Sequence, residues 1–341
     1  MSTGRRSGRA ESIAPAGNAG HFPVVAQPVI DVVVVLYGCA EFVGEALGTL
    51  AQATSFPVRV WLVDNGPGDG SLEAALGAWP TAEVVRPAEN VGFGAACNLA
   101  VARSSAPCVL LLNPDARLEP GAIDRMRAEL DCHPELAAVG PLVLRDGDGS
   151  VDTAGMELVG PGWARDRARG RALADAPRSD RVESLCGAVL LLRRDALRDI
   201  GRDREPFWGA LFLYNEDVEL CHALRARGWE LAYLAEARAS HRVGASGGPR
   251  PRFSAMAARN RVLTLLVYVT FADLGRPRSV FHWLRRLVID LPKLWRSARS
   301  PEDRRELRRL LSEIPERRSR AAALRAARIG RPGRAAGTFV R

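Results

Sequence analysis

Three places in this 341-residue chain set side chains where they could do chemistry. Val109, Leu110, Leu111 and Leu112 form an apolar run that breaks off at Asn113-Pro114-Asp115, which brings a carboxylate to the end of a buried strand. Further on, Glu216 and Asp217 open a segment with helical rhythm (Val218, Leu220, Cys221, Leu224) that stops at Gly228. On an exposed helix those acids would only complement the helix dipole. The aromatic run before them, Phe207, Trp208, Phe212 and Tyr214, predicts a walled cleft instead. His241 follows a strand-like "YLAEARAS" and enters a Gly/Ser-rich loop. Its imidazole is a good donor to a divalent metal, in a loop suited to closing over a substrate.

These groups act together only if the intervening elements bring them together. From residue 29 the chain alternates strands and helices. The strands are "VIDVVVVLYG" (29–38), "VRVWLVDNG" (58–66), "AEVVRP" (82–87) and "CVLLLNPD" (108–115). Helical patterns lie between them at 41–53, 71–79 and 91–104. Such alternation predicts an α/β fold with a mostly parallel central sheet and helices on both faces. The strands are continuous apolar runs, as expected when both faces are covered. In open parallel sheets, ligands bind beyond the carboxyl ends of the strands. Tyr37, Asp64, Asn65, Asn113 and Asp115 all fall on that edge, as do Asn90, Gly92 and Phe93 at a helix start where free N–H groups favour anions. Any one of these has a plain turn or cap explanation. Their gathering on one edge is the signal.

Composition narrows the classes. A chain of this length accommodates a domain of roughly 220 to 250 residues plus an accessory segment, and the 47% apolar fraction supports a core. The six cysteines are scattered without metal-binding spacing, so they read as small core residues of a reducing compartment. There is no G-x-x-x-x-G-K-[ST] loop, and "YGCAEF" rather than G-x-G-x-x-G follows the first strand, which argues against P-loop and dinucleotide binding. The Gly/Ala/Pro-rich start lacks a signal-peptide apolar stretch, and no window approaches about 18 consecutive apolar residues. Residues 276–341 hold 19 Arg/Lys against 6 Asp/Glu, a net +13, so residues 1–275 stand at −4 in a chain of net charge +9. Basicity is a property of the tail.

Taken in order, "VVVVLYG", "LVDNGPGDGS", "ENVGFGAACNLA", "VLLLNPDARL", "CGAVLLLRRDAL", "FLYNEDVELC" and "SHRVGAS", followed by "ARNRV" (258–262), resemble the inverting family 2 glycosyltransferases, most closely their rhamnosyltransferase-like bacterial branch. The match runs over roughly 29–261. The resemblance implies a GT-A fold, a Rossmann-like nucleotide-diphospho-sugar transferase sheet with added C-terminal helices. It also implies a nucleotide-sugar donor, dTDP-rhamnose favoured over UDP-galactofuranose or another UDP-sugar. The acceptor would be a cell-envelope glycan or a polyprenyl-diphosphate-linked sugar. By matching positions, Asp64 would contact the base and Asp69 would be a neighbouring donor-site acid. Asp115 would be the retained carboxylate of an Asp-X-Asp metal motif in which Asn113 replaces the first acid. Asp217 would be the general base of the Glu216-Asp217 pair, and His241 the second protein ligand to Mg²⁺ or Mn²⁺. A catalytically inactive glycan- or nucleotide-binding homologue is the alternative, and nucleic acid is not expected as a partner.

Three departures stand out. "WGA" (208–210) occupies the place of an acidic Phe-Asp-Glu segment, with Asp203-Arg204-Glu205 slightly upstream. Ala223 stands where Arg is frequent, and Pro67-Gly68 where Ser-Thr is usual. The expected organisation is a disordered leader over 1–28, the catalytic domain over 29–252, C-terminal helices over 253–300, and a basic helix with a disordered tail over 301–341. Within 279–297 an apolar stripe interleaved with arginines and two tryptophans fits either packing on the domain or lying on an anionic membrane. The corresponding location is the inner face of the cytoplasmic membrane.

Overall fold

The computed structural model describes Met1 and residues 29–328, except 67, 161, 243–250, 271–287, 291 and 294–299. The expected leader, the Gly/Ser-rich loop after His241, most of the 279–297 stripe and the last thirteen residues lie outside the described residues.

The first half follows the predicted alternation: β1 (Ile30–Leu36), α1 (Val43–Ala53), β2 (Val58–Asp64), α2 (Ser71–Ala78), β3 (Glu83–Val85), α3 (Phe93–Val101) and β4 (Cys108–Leu112). Then come β5 (Ala116–Leu118), α4 (Ala122–Cys132), β6 (Leu136–Arg145), β7 (Val151–Thr153) and a hairpin of β8 (Met156–Gly160) with β9 (Trp163–Asp166). The remainder is β10 (Asp180–Val182), β11 (Val189–Arg193), α5 (Arg194–Asp199), α6 (Glu216–Arg227), β12 (Glu230–His241), α7 (Pro251–Tyr268) and α8 (Pro301–Ala326).

The central sheet runs in the order β10-β12-β6-β11-β4-β1-β2-β3, with β5 on β12 and β7 on β6. Strands β4, β1, β2 and β3 are mutually parallel, and β12 is parallel to β6. The reversed strand β11 joins these two groups, antiparallel to both β4 and β6. Consequently the carboxyl ends of β1, β2, β4, β6 and β12 share one edge with the amino end of β11.

Residues within a strand alternate between two cores, as the pleat requires. Val33, Val35, Val63 and Leu111 face α3, α6 and α7. Ile30, Val32, Val34, Leu36 and Leu110 face α1 and α4. Helix α8 begins with a capping box, in which Ser300 Oγ accepts from Asp303 N (2.9 Å) and Asp303 Oδ2 accepts from Ser300 N (3.2 Å), with Pro301 at the first helical position. Its buried Leu310 and Ala321 join the core that holds Leu220 and Tyr268, so this helix packs on the catalytic unit. Among the cysteines, Cys39, Cys97, Cys108 and Cys221 are buried core residues, while Cys132 is exposed. No helix of the described residues is long and apolar enough to cross a membrane.

Candidate active site

The donor-side residues sit where the strands end. Tyr37 follows β1 and is half exposed, and Asp64 is the last residue of β2. Burial raises the Asp64 pKa against the opposing pull of Arg86, whose Nε lies 3.9 Å away. Asn65 ties this strand end to the next loop: its Nδ2 donates to Asn90 Oδ1 (3.0 Å) and its Oδ1 accepts from Val91 N (3.0 Å). Asp69 accepts from Gly38 N (2.6 Å) and Ser71 N (2.8 Å), so both oxygens bind backbone and join the β1 and β2 loops. Gly92 N donates to Asn90 Oδ1 (2.9 Å) and Phe93 N to Phe212 O (2.7 Å). Two of the N–H groups expected to meet an anion are therefore used to close loops.

At the end of β4, Asn113 N donates to Ala188 O (2.8 Å), and Asp115 meets His241. His241 Nε2 lies 3.1 Å from Asp115 Oδ1, and its Nδ1 lies 3.0 Å from Asp152 Oδ2. Burial alone would lower the histidine's pKa, but these two carboxylates outweigh it and raise it to about 9. His241 is not in a loop as expected. It is the last residue of β12, paired with Ala116 of β5 and Arg145 of β6, and these ladders fix it. Asp152, on β7, was not singled out in the sequence. Its partner is 89 residues distant, and a three-residue strand leaves no periodic signal. A carboxylate on Nδ1 is the arrangement that leaves Nε2 directed at a metal. Among the described residues no group of three or more His, Cys, Asp or Glu side chains forms a metal cage. The donor set of Asp115 and His241, one hard carboxylate and one imidazole, fits a cation whose coordination is completed by phosphate oxygens and water.

The segment Cys186-Gly187-Ala188 links that side to α6. Ala188 O accepts from Asn113 N, while Gly187 N donates to Asp217 Oδ2 (2.9 Å). Val218 N donates to the other oxygen, Asp217 Oδ1 (2.7 Å). Burial raises the Asp217 pKa, and these amides partly offset the rise. Glu216 lies differently: it is buried, it packs against α3 at Gly94, and its Oε2 has no hydrogen-bond partner among the described residues. Burial, reinforced by Asp217, pushes its pKa up to about 8. Of the pair, Asp217 is the partly buried acid, with both oxygens engaged by backbone amides, and Glu216 is the fully buried one.

The expected aromatic wall is a tied loop. Asn98 of α3 pairs with the Phe207 backbone, its Nδ2 donating to Phe207 O (2.9 Å) and its Oδ1 accepting from Phe207 N (3.0 Å). Trp208 is fully buried and turned toward α8, where its Nε1 donates to Glu313 Oε2 (2.8 Å) and Arg317 stacks on the ring at 3.9 Å. Gly209 lies so close to Ala95 that a Cβ would come within 3.1 Å of it. Asp203 faces α5, 3.9 Å from Arg198, and Glu205 is exposed. Phe212 and Tyr214 stay partly open, Tyr214 at 43% exposure.

Comparison with known proteins fits this geometry. Residues 31–201 match the model of glycosyl transferase family 2. The chain belongs to that family. It is 30% identical over 289 residues to the N-acetylglucosaminyl-diphospho-decaprenol L-rhamnosyltransferase of Mycobacterium tuberculosis, covering 76% of this chain and 89% of that one. Its fold resembles TarS 1-349 of S. aureus (TM-score 0.52, 16% identity, 86% of this chain and 82% of that one). It also resembles the mannosyltransferase PcManGT of Pyrobaculum calidifontis, solved with GDP-Man and Mn²⁺ (TM-score 0.50, 16% identity, 89% and 86%). The sheet is thus the GT-A sheet expected from the sequence, and the protein is a glycosyltransferase of family 2.

Proposed function

We propose that this enzyme is a metal-dependent, inverting transferase that moves rhamnose from dTDP-rhamnose to a hydroxyl of a polyprenyl-diphosphate-linked acceptor. The observation that carries the reading is Asp217: a partly buried carboxylate, both oxygens fixed by backbone amides, tied through residues 186–188 to the strand that presents Asp115. The rhamnosyltransferase relative, whose name specifies a decaprenol-linked acceptor, supports the donor and acceptor classes.

In this mechanism Asp64 and Asn65 receive the nucleoside end of the donor, while Asp69 and Asn90 hold their loops in place. Asp115 and His241 would hold Mg²⁺ or Mn²⁺, which supplies charge stabilisation to the departing diphosphate. Asp217 accepts the proton of the acceptor hydroxyl as that oxygen bonds to the anomeric carbon, and the bond to the diphosphate breaks on the opposite face. One displacement without a protein nucleophile inverts the centre. A carboxylate made more basic by burial suits proton removal, typically worth about 10²–10⁴-fold. The fully buried Trp208, Leu211 and Leu220 beneath the loop keep water from that side.

Asp217→Asn should lower transfer by about 10²–10⁴-fold with dTDP-rhamnose and a polyprenyl-diphosphate-linked N-acetylglucosamine. Normal transfer by that variant refutes the assignment. A thermal-shift panel of dTDP-, UDP- and GDP-sugars with Mn²⁺ identifies the donor, since a ligand that binds only the folded state raises the melting point. Placement at the inner face of the cytoplasmic membrane is part of the same reading. The outer side of α8 exposes Arg304, Arg305, Arg308, Arg309 and Leu311, with Glu302 and Glu306 among them. Flotation with anionic liposomes tests it, and indifference to anionic lipid refutes it.

A further inference from the structure

The turn that precedes Asp217 is held in an unfavourable backbone conformation, and what holds it comes from outside the segment matched by the family model. Of the four non-glycine residues with positive φ among the described residues, three lie here: Phe212 (67°), Tyr214 (70°) and Asn215 (73°). Phe212, with ψ at −62°, centres a strained γ-turn closed by Leu213 N donating to Leu211 O (2.8 Å). Asn215 is the N-cap of α6, two residues before Asp217. Bulky residues persist in such conformations only where their surroundings over-determine them.

The surroundings are α7. Asn260 is completely buried, and its Nδ2, with two hydrogens, lies within hydrogen-bond distance of three converging carbonyls, so one hydrogen is shared: Leu211 O (2.8 Å), Leu213 O (2.9 Å) and Tyr214 O (2.8 Å). Carbonyls only accept, so the amide nitrogen must be the end that faces them. Its Oδ1 accepts from Arg259 Nε (3.1 Å), and Arg259 Nη2 adds a bond to Leu211 O (3.2 Å). One helical turn on, Thr264 Oγ1 accepts from Asn215 Nδ2 (2.8 Å). The far side of the turn meets the donor half, where Phe212 O accepts from Phe93 N.

We propose that Asn260 is a positioning residue for catalysis: it holds the strained 211–215 turn that sets the start of α6 and hence the place of the Asp217 carboxylate. The inference rests on the reading of Asp217 as the base. Asn260 bonds none of Asp64, Asn65, Asn90 or Asp115, which lie on other elements. Its loss therefore acts first on the acceptor side and leaves the ties of Asp64, Asn65 and Asn90 in place, the Phe93 N bond to Phe212 O being the one direct link to the nucleotide side.

The test uses the full chain with Asn260→Ser, and with Thr264→Val as a milder variant that leaves Asn260 in place. Three quantities are read: kcat for transfer, the Kd for dTDP with Mn²⁺ by calorimetry, and amide exchange across 211–216. For Asn260→Ser we expect kcat to fall about 10- to 100-fold, the loss that accompanies misplacement of a catalytic group by about an ångström. The dTDP Kd should stay within about twofold, and exchange should accelerate about tenfold or more in 211–216 while β1 and β4 stay protected. Thr264→Val should show the same pattern at smaller size. Asp217→Asn should lose transfer with exchange unchanged. The proposal is overturned if kcat stays within about twofold, if dTDP affinity falls by the same factor as kcat, or if faster exchange spreads over the whole sheet. If the wild-type chain transfers no sugar, the function reading fails. Unaltered exchange in 211–216 overturns the clamp independently of activity.

Discussion

Glu219, one half-turn beyond Asp217, is completely buried yet ionised, and its removal offers a sharp test of how α6 is anchored. Arg202 grips it with two bonds, Nη1 to Oε2 (2.7 Å) and Nη2 to Oε1 (2.8 Å), and Tyr268 Oη of α7 donates to Oε1 (2.8 Å). Burial raises the Glu219 pKa, but Arg202 outweighs burial and the net shift is downward. Glu219→Gln removes the charge and leaves the Arg202 guanidinium, only 18% exposed, without its counter-ion. Breaking one side of a buried pair costs about 3–5 kcal/mol. At about 2–4 °C per kcal/mol for a domain of this size, the melting point at pH 7 should drop by about 6–20 °C. The pH dependence has a definite sign. A carboxyl with a lowered folded pKa contributes stability that is present above its ordinary value of 4.5 and lost as pH falls through the folded value. The gap between wild type and variant must therefore narrow in acid. Calorimetric melts from pH 7 down to pH 3 measure both effects. A drop smaller than about 2 °C at pH 7, or a gap that persists at pH 3, would refute the reasoning.

Glu216 has the opposite sign: burial raises its folded pKa to about 8 from an ordinary 4.5, so its contribution is lost as pH rises between those values. Glu216→Gln should accordingly stabilise the chain more at pH 8 than at pH 5 in thermal melts, and an equal effect at both pH values contradicts its burial as a neutral acid. Asp152→Asn should weaken Mn²⁺ binding in the presence of dTDP by about 10–100-fold, as removal of a carboxylate behind a metal-binding histidine does; unchanged Mn²⁺ affinity in a spin-resonance titration counts against the His241 assignment. Gly92→Ala puts a Cβ 2.4 Å from Phe212 O and 2.7 Å from Phe212 Cα, at a φ of +84°, so stability should fall by about 1–3 kcal/mol. A denaturant midpoint equal to wild type would show that the two loops are not in contact.

Much of the scaffold was legible because apolar strands covered on both faces write themselves as unbroken runs. "VIDVVVVLYG" and "CVLLLNPD" are β1 and β4 and their exits, and the strand-end rule placed Asp64 and Asp115 on one edge. The helix read from Glu216 to its stop at Gly228 is α6, closed by that glycine at a φ of 107°. The short pieces were not legible. β5, β7 and β10 have three residues each, too few for a period, and β5 and β10 pair with the distant β12. β5 is what converts His241 from an expected loop residue into a strand residue, since Ala116 pairs with it. Asp152 stayed hidden for the same reason. The resemblance singled out Asp217 from the Glu216-Asp217 pair, and packing adds the physical difference: α3 buries Glu216, while backbone amides engage both oxygens of Asp217.

The loop at 207–215 shows why the departure from the family pattern falls where it does. Gly209 and Ala210 stand where acids are usual, after Trp208 in the aromatic place, and the segment answers to packing: the Trp208 indole fills the space under α8 and bonds Glu313, while Gly209 admits the close approach of Ala95. The same loop is tied to α3 through Asn98 and Phe93, and to α7 through Asn260. A segment bound on three sides can lose its acids without losing its position, because backbone carbonyls rather than side-chain charges carry the ties. The C-terminal helices, far from being an appendage, supply the contacts that let this substitution stand.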